Sequence, residues 1–198
     1  MAVPARIRNQ AAVAAFLVAA GCGGGPPPAD WQLNAVQALQ AYERNYLSGD
    51  SKAADIEFGI ARRELARTGR PELVARAELR RCAVRAAALE FDDCPGFEKL
   101  RADAGKDELA YADYLRGKGT HAVGEDPLSR LVSYAVQLRK GDVAPAQMAQ
   151  AVDLASAQGW RRPLLAWLGV QMKRAEAAGE RDAAERIRRR IELVSAQN

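Results

Sequence analysis

Between residues 71 and 91 the apolar side chains recur on two faces of a helix rather than one. Projected at 100° per residue, Leu73, Ala77, Val84, Ala88 and Phe91 form one stripe, and Ala75, Leu79, Cys82, Ala86 and Leu89 form a second. Arg81, Arg85 and Glu78 separate the stripes on one side, and Arg76, Arg80 and Glu90 do so on the other. A helix with two apolar faces needs a partner on each, so this segment is expected inside a stack of antiparallel helix pairs. The segment from 180 to 195 differs. Ala183, Ala184, Ile187, Ile191 and Val194 make a single stripe and arginines cover the rest, the pattern of a helix that ends a stack.

Glycine and proline punctuate the remaining chain about every twenty residues, at Gly49, Gly69 to Pro71, Cys94 to Gly96, Gly117, Gly141, Gly159 and Gly179. Between these marks each segment reads as helix, with helices expected near 30–48, 51–68, 71–91, 96–116, 127–140, 144–158, 161–178 and 180–195. The fourth is expected to break near Gly105. Asp30 and Ser51 are the expected caps of the first two, Pro71 suits a first helical turn, and the glycines suit left-handed C-termini. Alanine, leucine and arginine dominate, runs of Val, Ile and Thr are few, and no stretch reads as a strand. The expected fold class is all-α.

Gly49-Asp50-x-x-Ala53, followed by Ala54, Phe58 and Ala61, has a turn and spacing that resemble the second helix of a tetratricopeptide repeat. Ala144, Met148 and Ala151 echo that spacing after Gly141-Asp142, and Leu168-Gly169, Met172 and Gly179 resemble a first helix with its turn. A regular 34-residue period is absent and the first-helix pattern is missing before Gly49. The resemblance implies a short solenoid of degenerate repeats over residues 30–198.

The amino-terminal region adds an address. Arg6 and Arg8 precede an apolar run of ten residues, 11–20, roughly half the ~20 that a spanning helix needs. Leu17-Val-Ala-Ala-Gly-Cys22 closes that run and resembles a bacterial lipoprotein signal. The resemblance implies cleavage after residue 21 and acylation of Cys22. Gly23, where such proteins carry Asp for inner-membrane retention, implies the outer membrane, periplasmic face, with Cys22 as the lipid attachment. Residues 22–29, Gly- and Pro-rich, read as a short tether.

With Cys22 assigned to lipid, Cys82 and Cys94 remain to pair in an oxidising compartment. The bond would close a short loop worth about 3 kcal/mol in the chain-entropy model. The formal charge of +4 is confined to the C-terminal part: residues 1–158 hold 20 basic and 20 acidic side chains, and residues 159–198 hold nine and five. Arg186, Arg188, Arg189 and Arg190 are the candidate partner surface, facing anionic lipid or an envelope protein; nucleic acid is not an expected partner of an exported chain.

Catalytic chemistry is hard to build from these residues. His121 is the single histidine, in the Gly-rich interruption 116–126. Gly117 to Thr120 lacks the order of a phosphate loop, and no serine stands in a Gly-x-Ser-x-Gly elbow. Asp92-Asp93 and Glu125-Asp126 are paired acids, but both stand at helix ends, where acids favour the dipole. Trp160, Leu164, Trp167, Leu168 and Met172 share one face, and Tyr111, Tyr114 and Leu115 cluster on another segment; each suits either inter-helix core or a docking surface. The expectation is a non-enzymatic envelope lipoprotein that binds another protein, with no metal and no cofactor. The alternatives are an envelope enzyme acting on peptidoglycan or lipid, and an inhibitor or immunity-type binder of a secreted toxin or lysozyme.

Overall fold

A computed structural model describes residues 27–196. The signal segment 1–21, Cys22 and most of the tether lie outside the described residues. Helix boundaries fall close to the punctuation: α1 Asp30–Ser48, α2 Ser51–Ala66, α3 Pro71–Ala87, α4 Pro95–Glu98, α5 Lys106–Leu115, α6 Pro127–Lys140, α7 Pro145–Ala157, α8 Arg161–Ala177 and α9 Arg181–Ser195. No strand occurs among the described residues, so the fold is all-α. The expected helix 96–116 is three pieces, α4, a 3-10 turn Arg101–Asp103 and α5, with Gly105 at the start of the last.

Two caps sit one residue from their expected places. Ala29 precedes α1, its N–H donating to Gln32 Oε1, and Asp30 is the first helical residue. For α2 the cap is Asp50, whose Oδ1 accepts from the Ala53 N–H at 2.9 Å. Asp50 wins because its carboxylate reaches a first-turn amide that has no helical carbonyl four residues before it.

Helix α3 ends at Ala87, short of Phe91. Leu89 takes the left-handed φ of 61°, and its N–H and that of Glu90 close back on Ala86 O and Arg85 O. This is a helix-ending turn normally given to glycine. The early stop turns Phe91 out of the predicted stripe; it is exposed, with the Arg139 guanidinium 5.3 Å from its ring centroid.

The rest of the two-stripe pattern sorts as expected. Ala77, Val84 and Ala88 join a cluster with Tyr42, Leu47 and Phe58 of α1 and α2. Ala75, Leu79, Cys82 and Ala86 join a second cluster that extends through α4 to α8 and contains Phe97, Leu131, Trp167 and Leu168. Leu100, Leu128 and Trp160 pack against both clusters. Trp167 is fully buried and its Nε1 donates to Ala87 O, satisfying a carbonyl at the end of α3.

Consecutive helices form hairpins, α1 with α2, α7 with α8 and α8 with α9. Two packings join helices distant in sequence: α3 lies against α6, and α8 returns to α1. Arg162 at the start of α8 fixes the second. Its guanidinium donates to Tyr46 O at 2.8 Å, Gly49 O at 3.1 Å and Glu90 Oε1 at 3.1 Å, and it stacks 4.3 Å from the Tyr46 ring centroid.

Cys82 of α3 and Cys94 before α4 are disulfide-bonded, with Cα atoms 5.7 Å apart. The early end of α3 leaves only five helical residues beyond Cys82, so the return to Cys94 is short. Cys94 is itself left-handed, at φ 50°, and its N–H donates to Asp92 Oδ1 at 3.0 Å. Arg85 Nε lies 3.4 Å from the same carboxylate. Beside it, Glu78 is buried and paired to Arg62 Nε at 3.0 Å, and a Cβ on Gly96 would strike the Glu78 carboxylate.

Candidate binding cleft

On the side of α3 that carries Arg76 and Arg80, the two clusters do not close over each other. They leave a cleft of about 690 Å³ between α1, α3, α5 and α6. Its apolar lining includes Leu39, Leu73 and Leu128, each half-buried, and the deeper Leu65, Leu79 and Val132. The sequence pattern creates this gap: between its two stripes α3 carries arginines, which keep their heads in water and hold the neighbouring helices apart.

Those arginines are tied across the cleft. Arg80 bonds Glu43 of α1 through Nη2 at 2.6 Å, and Arg76 Nε bonds Glu108 of α5 at 2.5 Å. The Arg76 hydrogen bond holds the Glu108 carboxyl below the ordinary carboxylate range, helped by backbone N–H groups of Glu108 and Gly105 at the start of α5. Asp126 caps α6, accepting from the Ser129 N–H at 2.9 Å, and the Ser129 bonds hold its pKa down as well. Burial pushes the Tyr111 phenol up to about 12.

Tyr111, Ser129 and Val132 also line an adjoining recess of about 390 Å³, reached by the loop 116–126. Lys140 Nζ donates to Gly119 O of the loop at 3.0 Å, and Arg139 donates to Leu115 O at the end of α5 at 3.1 Å. His121 rests on two rings, 4.8 Å from Tyr111 and 5.4 Å from Tyr114 between centroids. The structure thus brings together His121, Tyr111, Tyr114 and Asp126, which the sequence offered as separate features. Glu43, Arg76, Arg80, Asp107 and Glu108 complete the cleft; the sequence pattern singles out none of Glu43, Asp107 and Glu108, and Arg76 and Arg80 enter it only as polar separators.

The other candidates stand elsewhere. Trp167 and Leu168 are core, with Trp160, Leu164 and Met172 half-buried around them. Asp92 serves the Cys94 amide, and Asp93 is an exposed side chain 3.8 Å from Arg139. Arg186, Arg188, Arg189 and Arg190 are exposed on α9, and none lines the cleft. Arg188 pairs with Glu176 and Glu185, Arg189 reaches Glu185 at 3.8 Å, and Arg186 and Arg190 have no ion-pair partner among the described residues. No helix among the described residues is long and apolar enough to cross a membrane.

Comparison with protein-family models, with curated proteins and with solved structures returns no match. The cleft therefore has to be read from its own chemistry.

Proposed function

We infer that the protein is a lipid-anchored envelope adaptor that binds a segment of another protein in the cleft beside α3 and catalyses no reaction. The observation that carries this reading is the form of the cleft, an apolar floor of Leu39, Leu73 and Leu128 under a rim whose arginines are tied to Glu43 and Glu108. Arg76 holds the Glu108 carboxyl below the ordinary carboxylate range, Ser129 does the same for Asp126 through its hydroxyl and amide, and burial pushes the Tyr111 phenol up. Proton-transfer catalysis at neutral pH asks for groups poised near neutrality, so each shift runs the wrong way for a general acid or base. An apolar floor with a fixed polar rim is instead the anatomy of a binding groove.

The stacked hairpins α1–α2, α7–α8 and α8–α9 support a tetratricopeptide-like ancestry, as do the buried Ala54, Phe58 and Ala61. The second echo fits less well. Met148 and Ala151 are buried, but Ala144 is an exposed residue before α7. The α3–α6 and α8–α1 packings add closure that a nearest-neighbour solenoid lacks. Anchorage through Cys22 rests on the signal-like segment, and the exposed arginines of α9 offer a second surface for anionic headgroups.

Two measurements test the reading. Cys22→Ala, followed by membrane fractionation, should move the protein from the outer-membrane to the soluble fraction; unchanged fractionation rejects the anchor. Glu108→Gln, Asp126→Asn, Tyr111→Phe and His121→Gln, made singly and checked for folding, should each weaken the envelope phenotype in part. Complete loss from one isosteric change, with the fold intact, would favour the enzyme.

A further inference from the structure

We propose that the occupant of the cleft is a cationic amphipathic peptide segment, its apolar face on the leucine floor and a lysine or arginine against Tyr111 between Asp107 and Asp126. This rests on the binding reading above and adds the chemistry of the partner. Six charged side chains line the cleft, Glu43, Arg76, Arg80, Asp107, Glu108 and Asp126. Both arginines are consumed by internal pairs, Arg80 with Glu43 and Arg76 with Glu108. The two carboxylates left over are Asp107 and Asp126; neither has an ion-pair partner among the described residues, and Asp126 is bonded within its own cap by the Ser129 hydroxyl and amide. The rim therefore offers net negative charge to a visitor.

The ring of Tyr111, packed against Tyr114 and His121, stands in the same lining and is half-buried, and the part of a phenol ring open to a cleft attracts an ammonium or guanidinium by its quadrupole. Tyr111 also opens onto the recess formed with Tyr114 and His121, which gives a long side chain somewhere to extend. The floor selects against a small cation, because Leu39, Leu73 and Leu128 would stay uncovered, and the rim selects against the anionic headgroup of a lipid. A helix with apolar residues at i, i+3, i+4 and i+7 and basic residues beside them satisfies both parts.

The probes are three dye-labelled peptides of about 18 residues, with one leucine pattern and lysine, glutamine or glutamate at the polar positions. Fluorescence anisotropy is measured on the protein as isolated from cells, held in zwitterionic nanodiscs. The lysine peptide should bind at least about ten-fold more tightly than the glutamate peptide, the sum of one cation–π contact and two carboxylates. Asp107→Asn with Asp126→Asn, which keeps a capping side chain on α6, should cut that difference to about two- to five-fold, the share left to the cation–π contact. Ser129→Trp, which retains the backbone amide used by the cap, should block all three peptides, and a benzophenone on the lysine peptide should cross-link to α1, α3 or α6. Equal or tighter binding of the glutamate peptide, blocked by Ser129→Trp, overturns the cationic partner but leaves the groove. Binding of every peptide unaffected by Ser129→Trp and cross-linked elsewhere overturns the groove itself.

Discussion

Arg162 opens α8 with its guanidinium folded inward onto Tyr46, Gly49 and Glu90, whereas Arg190 sits in the basic run of α9 facing solvent without an ion-pair partner among the described residues. Both belong to the basic excess that follows residue 158. The inner one joins helices more than a hundred residues apart in sequence; the outer one is a solvated charge. A run of arginines is thus a mixture of fasteners and free charge, and what separates them is whether backbone carbonyls lie within reach of the fork.

The largest break in this contrast should come from reducing the Cys82–Cys94 bond. It fastens the segment that presents Glu90 to Arg162, the Asp93 carbonyl to Arg116 and Phe91 to Arg139. Urea unfolding with and without a thiol reductant should show a loss of about 3 kcal/mol. Arg162→Ala should cost about 2 kcal/mol, because two carbonyls and a carboxylate lose a charged donor together. Equal stability of that variant and wild type in urea would remove Arg162 from the fasteners.

A smaller, pH-dependent effect belongs to Glu108. Its carboxyl lies below the ordinary carboxylate range, first through the Arg76 bond, so its stabilisation is fully present above that range. As pH falls through the ordinary range toward the lowered value, the unfolded chain takes up the proton first and the stabilisation is lost. Glu108→Gln should therefore flatten the fall in stability below about pH 5, read from urea midpoints at each pH. The least effect should come from Arg188→Glu with Arg189→Glu, within about 0.5 kcal/mol of wild type, while binding to anionic vesicles falls if α9 meets lipid. A large stability loss there would place α9 among the fasteners.

How far the sequence reaches follows the same line. The two stripes of α3 were legible because helical periodicity is local, and the burial of Ala77, Val84, Leu79 and Cys82 follows it. Phe91 was misplaced because the stop at Ala87 uses Leu89 in a left-handed turn, for which no glycine signals. The disulfide followed from counting cysteines. The cleft was not legible. Its ion pairs join Glu43 to Arg80 and Arg76 to Glu108, residues some thirty or more apart, and no local spacing announces a pair made by packing. His121 reads in the sequence only as part of the Gly-rich interruption, because the fold of that loop back onto Tyr111 and Tyr114 of α5 leaves no local spacing to announce it.

Leu100, Leu128 and Trp160 touch both apolar clusters, and α3 lends a face to each. Neither cluster can open without exposing surface that the other uses, so the amides of α3 should exchange with solvent deuterium only through opening of the whole molecule. Those of α9, held by one stripe, should exchange through local fraying long before. Heat would then give a single calorimetric transition across α1 to α8, with its van't Hoff and calorimetric enthalpies equal, preceded by gradual loss of the last helix.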